Sequence, residues 1–175
     1  MPSRLGTVCY GSLDSPVGVV YVAFDGEKMV ALSFTSGSEA DFCKEIEPLS
    51  KGSLRRSPTK VEPVVSELRE YFAGRRRKFS FRANVSGFSD FQRKVLNAAA
   101  RIPYGETRTY RWLAEQADSP LASRAAGQVM ARNPVPIIIP CHRVIGSSGG
   151  LCGFAGGLRA LDLKRRLLEI EGMTV

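Results

Sequence analysis

Cys141 and His142 stand side by side at the end of an apolar run, Ile137-Ile138-Ile139-Pro140, and His142 is the only histidine among the 175 residues. A cysteine attacks carbon as a thiolate, and a free thiol titrates near ~8.5, so at neutral pH it needs a neighbouring base. Any imidazole chemistry in this chain falls to His142. The same dipeptide also suits a bland role, because cysteine is among the most buried residues and a histidine beside it can simply be hydrogen-bonded. The flanking residues favour chemistry. Pro134, Pro136 and Pro140 each lack a ladder N–H, so the segment cannot be a central strand. It reads as a rigid extended segment that presents the cysteine at its end.

Those residues need a scaffold, and the chain is long enough for one core or two small ones. No apolar stretch approaches the roughly 20 residues a membrane helix needs. The N-terminus, Met1-Pro2-Ser3-Arg4-Leu5-Gly6, has no apolar signal core. A cytoplasmic protein is expected, or a nuclear one in a eukaryote, with no membrane partner. Cys9, Cys43, Cys141 and Cys152 are irregularly spaced, as expected of reduced thiols rather than a disulfide framework. A zinc site from Cys141, His142 and Cys152 would fit no usual ligand spacing.

The net charge is +8 and unevenly placed. Residues 1–50 hold three basic and seven acidic side chains, residues 51–100 twelve and four, and residues 101–175 ten and six. An acidic first segment followed by a basic remainder suggests a polyanionic partner, most simply nucleic acid. The run Arg75-Arg76-Arg77-Lys78 equally suits a solvated loop after a helix.

Val17–Phe24 and Met29–Phe34, joined through Asp25-Gly26, read as a β-hairpin. Residues 38–46 read as a short helix and 48–60 as a loop. A helix is expected to start near Pro63, with Val64, Val65, Leu68, Tyr71 and Phe72 on one face. Residues 79–85 alternate like a short strand. A domain boundary is expected near 83–88, dividing the chain into 1–85 and 86–175. The second half is helical. Ser89 and Gln92 form a capping box ahead of one helix, and Thr109 caps a short helix carrying Trp112. Ser119 and Pro120 are expected to start another that runs to Ala131. Two short helices across a tight break resemble a helix-turn-helix. Its second helix, around Leu121-Ala122-Ser123-Arg124-Ala125-Ala126-Gly127, has too few long polar side chains to read base edges. Its small face suits either close approach to a sugar-phosphate backbone with Arg124 inserted, or tight helix packing.

Residues 133–146, with the proline-cysteine-histidine-arginine signature, resemble the active-site motif of the O6-alkylguanine-DNA alkyltransferases (methylated-DNA–protein-cysteine methyltransferases). Tyr104-Gly105-Glu106 to Tyr110, Ser123-Arg124-Ala125-Ala126-Gly127 and Gly153-Phe154-Ala155-Gly156-Gly157-Leu158 follow in the family's order. The resemblance covers residues 86–172 closely and 7–35 more loosely. It implies an α/β fold class: a small N-terminal ribonuclease H-like α/β domain, and a mostly helical winged-helix-like C-terminal domain with a helix-turn-helix.

It also implies irreversible, single-turnover transfer of an alkyl group from O6-alkylguanine, and from O4-alkylthymine, to Cys141. The target base is flipped out of double-stranded DNA, the expected partner of a monomeric protein. By resemblance His142 removes the thiol proton through a water, and a carboxylate orients the imidazole. Tyr110 protonates the departing guanine, and Asn133 braces the active-site turn. Arg124 takes the place of the extruded base, on a helix whose Ala122, Ser123, Ala125 and Gly127 approach the DNA beside Tyr110. Met130, Pro136, Val144, Phe154 and Ala155 line the pocket, and the backbone carbonyls of Cys141 and Val144 accept from the guanine amino group. No cofactor and no metal is implied.

Two departures bear on this. By resemblance the carboxylate is Glu171, in Glu171-Gly172, but the stretch before it is about three residues longer than in the family, around Arg159-Ala160-Leu161, which leaves Glu169 as the fallback. Phe154-Ala155 stands where some members have tyrosine and serine. Three other functions remain open at this level: a non-catalytic binder of alkylated DNA, whose known type lacks the cysteine; a transcriptional regulator; and a cysteine hydrolase.

Overall fold

The computed structural model describes residues 6–34, 38–50, 53–151 and 158–174. The chain divides into two compact units, Met1–Gly87 and Phe88–Val175.

The first unit is built on a four-stranded sheet of order β3-β2-β1-β4. Strands β1 (Val8–Ser15), β2 (Gly18–Asp25) and β3 (Lys28–Ser33) form an antiparallel meander, while β4 (Leu54–Arg56) pairs parallel to β1. The expected hairpin is β2–β3. Strand β1 carries no clear strand pattern in the sequence, because Cys9, Gly11, Ser12 and Asp14 dilute its apolar signal, and β4 lies inside the expected loop. Helix α1 (Glu39–Ile46) starts at a capping box between Ser38 and Asp41. Its Phe42 and Ile46 pack with Val8, Tyr21, Ala23, Val30 and Ala31 on one face of the sheet.

Helix α2 (Pro58–Phe72) covers the other face. A Cβ on Gly11 would stand 2.5 Å from Val61 Cγ2, so only glycine lets α2 lie this close to β1. Burial on both faces explains the unbroken apolar run in β2. Helix α2 begins five residues earlier than expected. Pro58 takes the first helical position, Val61 extends the buried face backwards, and Pro63 lies inside the helix, where it removes one N–H. Residues 79–85 form no strand. They contribute one bridge, in which Met29 N donates to Arg82 O and Asn84 N donates to Met29 O. Within the basic run, Arg76 is committed to Glu67 at 3.2 Å and Glu70 at 2.7 Å.

In the second unit, α3 (Asp90–Ala100) begins at the Ser89–Gln92 capping box, and α4 (Tyr110–Gln116) begins at Thr109, whose hydroxyl accepts from Trp112 N. Helix α5 (Ser123–Ala131) starts three residues later than expected, with Ala122 as its N-cap. Ser119 does not cap it. Ser119-Pro120-Leu121 instead form a turn in which Ala122 N donates to Ser119 O, after Asp118 has adopted a φ of +55°. Val95, Leu96, Leu113, Ala114, Ala126, Val129 and Met130 bury the contacts among these three helices. Strands β5 (Arg108–Thr109) and β6 (Val144–Ile145) pair in parallel, which brings the start of α4 beside the segment that follows Cys141. Helix α6 (Leu158–Ile170) includes Arg159-Ala160-Leu161, with Ala160 buried.

Candidate active site

The segment that carries the cysteine is folded, not extended. Ile139 N donates to Val135 O at 2.9 Å, Ile138 N to Pro136 O at 2.9 Å, and Ile137 takes a φ of +70°. A left-handed β-branched residue is strained and survives only where its surroundings over-determine it. Here Ile137 is buried, and Asn133 closes the loop from inside: its amide nitrogen donates to Ile139 O at 2.7 Å and its oxygen accepts from Val135 N at 3.1 Å. The prolines therefore remove donors that a compact loop does not need, rather than holding the chain straight.

The loop delivers Cys141, His142 and Arg143 into a single 3-10 turn, all three buried. His142 Nε2 lies 2.7 Å from Glu171 Oε1, and both side chains are fully enclosed. Glu171 follows the last residue of α6, while Glu169 lies on the exposed face of that helix. Of the two carboxylates left open by sequence, Glu171 is the one beside the histidine.

Arg143 completes this cluster. Its Nε donates to Glu171 Oε2 at 2.9 Å, its Nη2 to Oε1 at 2.9 Å and its Nη1 to Ile102 O at 2.6 Å. Gly105 N donates to Oε2 at 3.2 Å. Burial pushes the Glu171 carboxyl up, but hydrogen bonds from His142 and Arg143 and the Arg143 charge outweigh it and hold it at about 2. Burial likewise lowers His142, against the pull of Glu171, so the resting imidazole is neutral.

Burial raises the Cys141 thiol, the direction that disfavours a nucleophile. Hydrogen bonding from Asn133, the positive charge of Lys164 and the main chain at 141 and 142 act the other way. Lys164 was not anticipated. It is fully buried, donates to the Val144 carbonyl, and stands 5.8 Å from the centre of the Tyr110 ring. One signal in the sequence would have found both it and Glu171. Ala160, Lys164, Leu167, Leu168 and Glu171 follow helical spacing and are all buried, so two charges occupy the apolar stripe of α6.

Tyr110 is half-buried at the start of α4, and a Cβ on Gly127 would lie 3.7 Å from its ring. The small residue thus seats the tyrosine between α5 and Lys164. Among the expected pocket residues Met130 and Val144 are buried and Pro136 is half-buried, whereas Phe154 and Ala155 lie outside the described residues. On α5, Arg124, Ala125 and Gln128 are exposed, Ala122, Ser123 and Gly127 are half-buried, and Leu121 just before the helix is fully exposed. Arg124 therefore projects from a face of small side chains.

Two family models match consecutive parts of the chain: the 6-O-methylguanine DNA methyltransferase ribonuclease-like domain over residues 8–84, and the DNA binding domain of the same name over residues 90–173. The Mycobacterium leprae methylated-DNA–protein-cysteine methyltransferase is 41% identical over 160 residues, 91% of this chain and 90% of that protein. The chain belongs to the methylated-DNA–protein-cysteine methyltransferase family. Its namesake from Methanosarcina acetivorans is 40% identical over 93% of this chain and 97% of that one. A solved family structure, Mycobacterium tuberculosis OGT in complex with DNA, is 36% identical with a TM-score of 0.79, covering 93% of this chain and 92% of the other. The α/β first unit and helical second unit are those of this methyltransferase family. No helix among the described residues is long and apolar enough to cross a membrane.

Proposed function

We propose that this chain repairs double-stranded DNA by moving the alkyl group of O6-alkylguanine, and of O4-alkylthymine, onto its own Cys141. The observation that carries the reading is the buried relay: Cys141 shares a turn with His142, whose Nε2 is 2.7 Å from Glu171. His142 accepts the thiol proton, through a water. The thiolate sulfur then forms a bond to the alkyl carbon as the carbon–O6 bond breaks, and the electron pair leaves with the base. Tyr110 supplies a proton, so that guanine departs neutral. Asn133 supports both the loop and the sulfur. The product is a thioether, which no group in the relay can hydrolyse, so each molecule acts once.

A thiol that is only 5% exposed cannot reach an alkyl group inside a base stack, so the base must leave the duplex. Arg124, projecting from a face of small side chains, suits the vacated space. Such insertion offsets an unstacking cost of a few kcal/mol. With Arg124 and Gln128 as its long polar side chains, α5 offers little base-edge readout, which suits damage that occurs in any sequence. The net charge of +8 favours the DNA partner, as does the DNA complex of the Mycobacterium tuberculosis relative. A thiol that must stay reduced fits the cytoplasm.

The test mixes the protein with excess duplex bearing one O6-methylguanine and maps the mass change by peptide. One methyl on Cys141, with repair stopping at one equivalent, is the expected result. Tight lesion-dependent binding without a label would instead make this a damage-binding protein.

A further inference from the structure

Glu171 occupies an unfavourable place for an anion. It is buried, and its N–H donates to Leu167 O at 3.2 Å, so its carboxylate stands at the C-terminal, electronegative end of α6. Burial and the helix end both favour a protonated acid there. A protonated Glu171 would donate to His142 Nε2, leaving the ring proton on Nδ1. An ionised Glu171 accepts only, which forces the proton of a neutral ring onto Nε2 and leaves Nδ1 to take one. The state of one carboxyl thus decides which nitrogen is the base.

We propose that Arg143 is a positioning residue for alkyl transfer, clamping Glu171 as a fixed carboxylate and so selecting the His142 tautomer whose Nδ1 accepts the thiol proton. The clamp is bidentate, Nε to Oε2 and Nη2 to Oε1, each at 2.9 Å. Its third arm holds Ile102 O at 2.6 Å, and the guanidinium lies 5.8 Å from the centre of the Tyr104 ring, so the fork is fixed from behind. The Tyr104 hydroxyl in turn donates to Ile170 O at 2.8 Å, which ties the end of α6 to the same support. With Gly105 N on Oε2, the carboxylate oxygens accept from His142 and Arg143 on one side and from Arg143 and Gly105 on the other. Arginine suits this role better than lysine, because its charge is permanent and its planar fork matches a carboxylate. The depressed Glu171 carboxyl agrees with the clamp.

The inference builds on the alkyltransferase reading, but the tautomer is measurable without DNA. His142 is the only histidine, so long-range proton–nitrogen correlation on protein labelled with nitrogen-15 in histidine reports one ring. The wild-type ring at neutral pH is expected to carry its proton on Nε2. Arg143→Gln should lose that single tautomer and slow methyl transfer from an O6-methylguanine duplex roughly 10–100-fold. Arg143→Lys, keeping charge but not the fork, should fall between. A wild-type proton on Nδ1 overturns the proposal, as does a folded Arg143→Gln or Arg143→Lys protein that keeps the Nε2 tautomer and the wild-type rate. If Arg143→Gln does not fold, the wild-type ring and Arg143→Lys decide. A wild-type protein with its proton on Nε2 that takes no methyl group sinks the alkyltransferase reading and leaves the clamp standing.

Discussion

Asn133 and Ile139 are joined by a 2.7 Å hydrogen bond from side-chain amide to backbone carbonyl, across the loop that ends at Cys141. Ile139 is buried, and the same amide's oxygen holds Val135 N at 3.1 Å. Removing the amide strands a buried carbonyl, which costs about 1–3 kcal/mol. Asn133→Ala should lose stability on that scale in urea unfolding and also transfer methyl more slowly, because the loop holds the thiol. An unchanged midpoint and rate would show that the brace is dispensable.

Cys141→Ala should abolish methyl transfer yet bind lesion-bearing duplex, since the exposed residues of α5 are untouched. Peptide mass mapping together with a gel shift checks both halves. Any methyl acceptor elsewhere in the chain would contradict the assignment of the nucleophile.

Arg124 is exposed on α5, among small side chains. Arg124→Ala should therefore leave stability within about 0.5 kcal/mol of wild type. It should slow repair of O6-methylguanine in duplex at least tenfold while leaving reaction with the free alkylated base nearly unchanged. Equal losses on both substrates would remove the base-extrusion role.

Lys164 places a buried positive charge near Cys141 and lowers a thiol that burial raises. Lys164→Met keeps much of the stem and removes the charge, so thiolate formation becomes harder. The ascending limb of the rate–pH profile for methyl transfer, on which the thiolate forms, should move to higher pH. A profile that stays in place would limit Lys164 to supporting the Val144 carbonyl.

Acid should destabilise this protein in two steps led by two buried residues. His142 is held below 6.5, so the unfolded chain gains a proton before the folded one, and stability declines as pH falls below that value. Glu171 is held at about 2 against a usual 4.5, so a second loss follows between those two values. Thermal unfolding from pH 7.5 to 3 reads both. In Glu171→Gln the lower step should shrink to what Asp41 and Asp90 leave, whose carboxyls hydrogen bonds also hold below the usual range; an unchanged step would assign it to them.

The local signals in the sequence were those with local causes. The capping boxes at Ser38 and Ser89 and the threonine cap at Thr109 satisfy N–H groups within three residues, so type and spacing reveal them. The β2–β3 hairpin is legible from its β-branched run and Asp25-Gly26. Misreadings fall where distant partners decide. Strand β4 exists because β1 lies parallel to it, and the start of α2 moves to Pro58 because Val61 finds Gly11. The cysteine segment folds because Asn133 reaches across it, which three prolines alone do not reveal.

The sequence by itself determined the reagents of the site. One cysteine stands beside the only histidine, the following arginine is in place, and a face of small residues carries Arg124, because covalent order is a property of the chain. Tertiary structure alone decided how they are poised. Glu171 rather than Glu169 meets His142 because helical rotation turns one inward and the other to solvent. Arg143 and Lys164 couple to Glu171 and Cys141 only because burial removes the water that would otherwise screen them, and such coupling between residues 20 or more apart exists only in that dry interior.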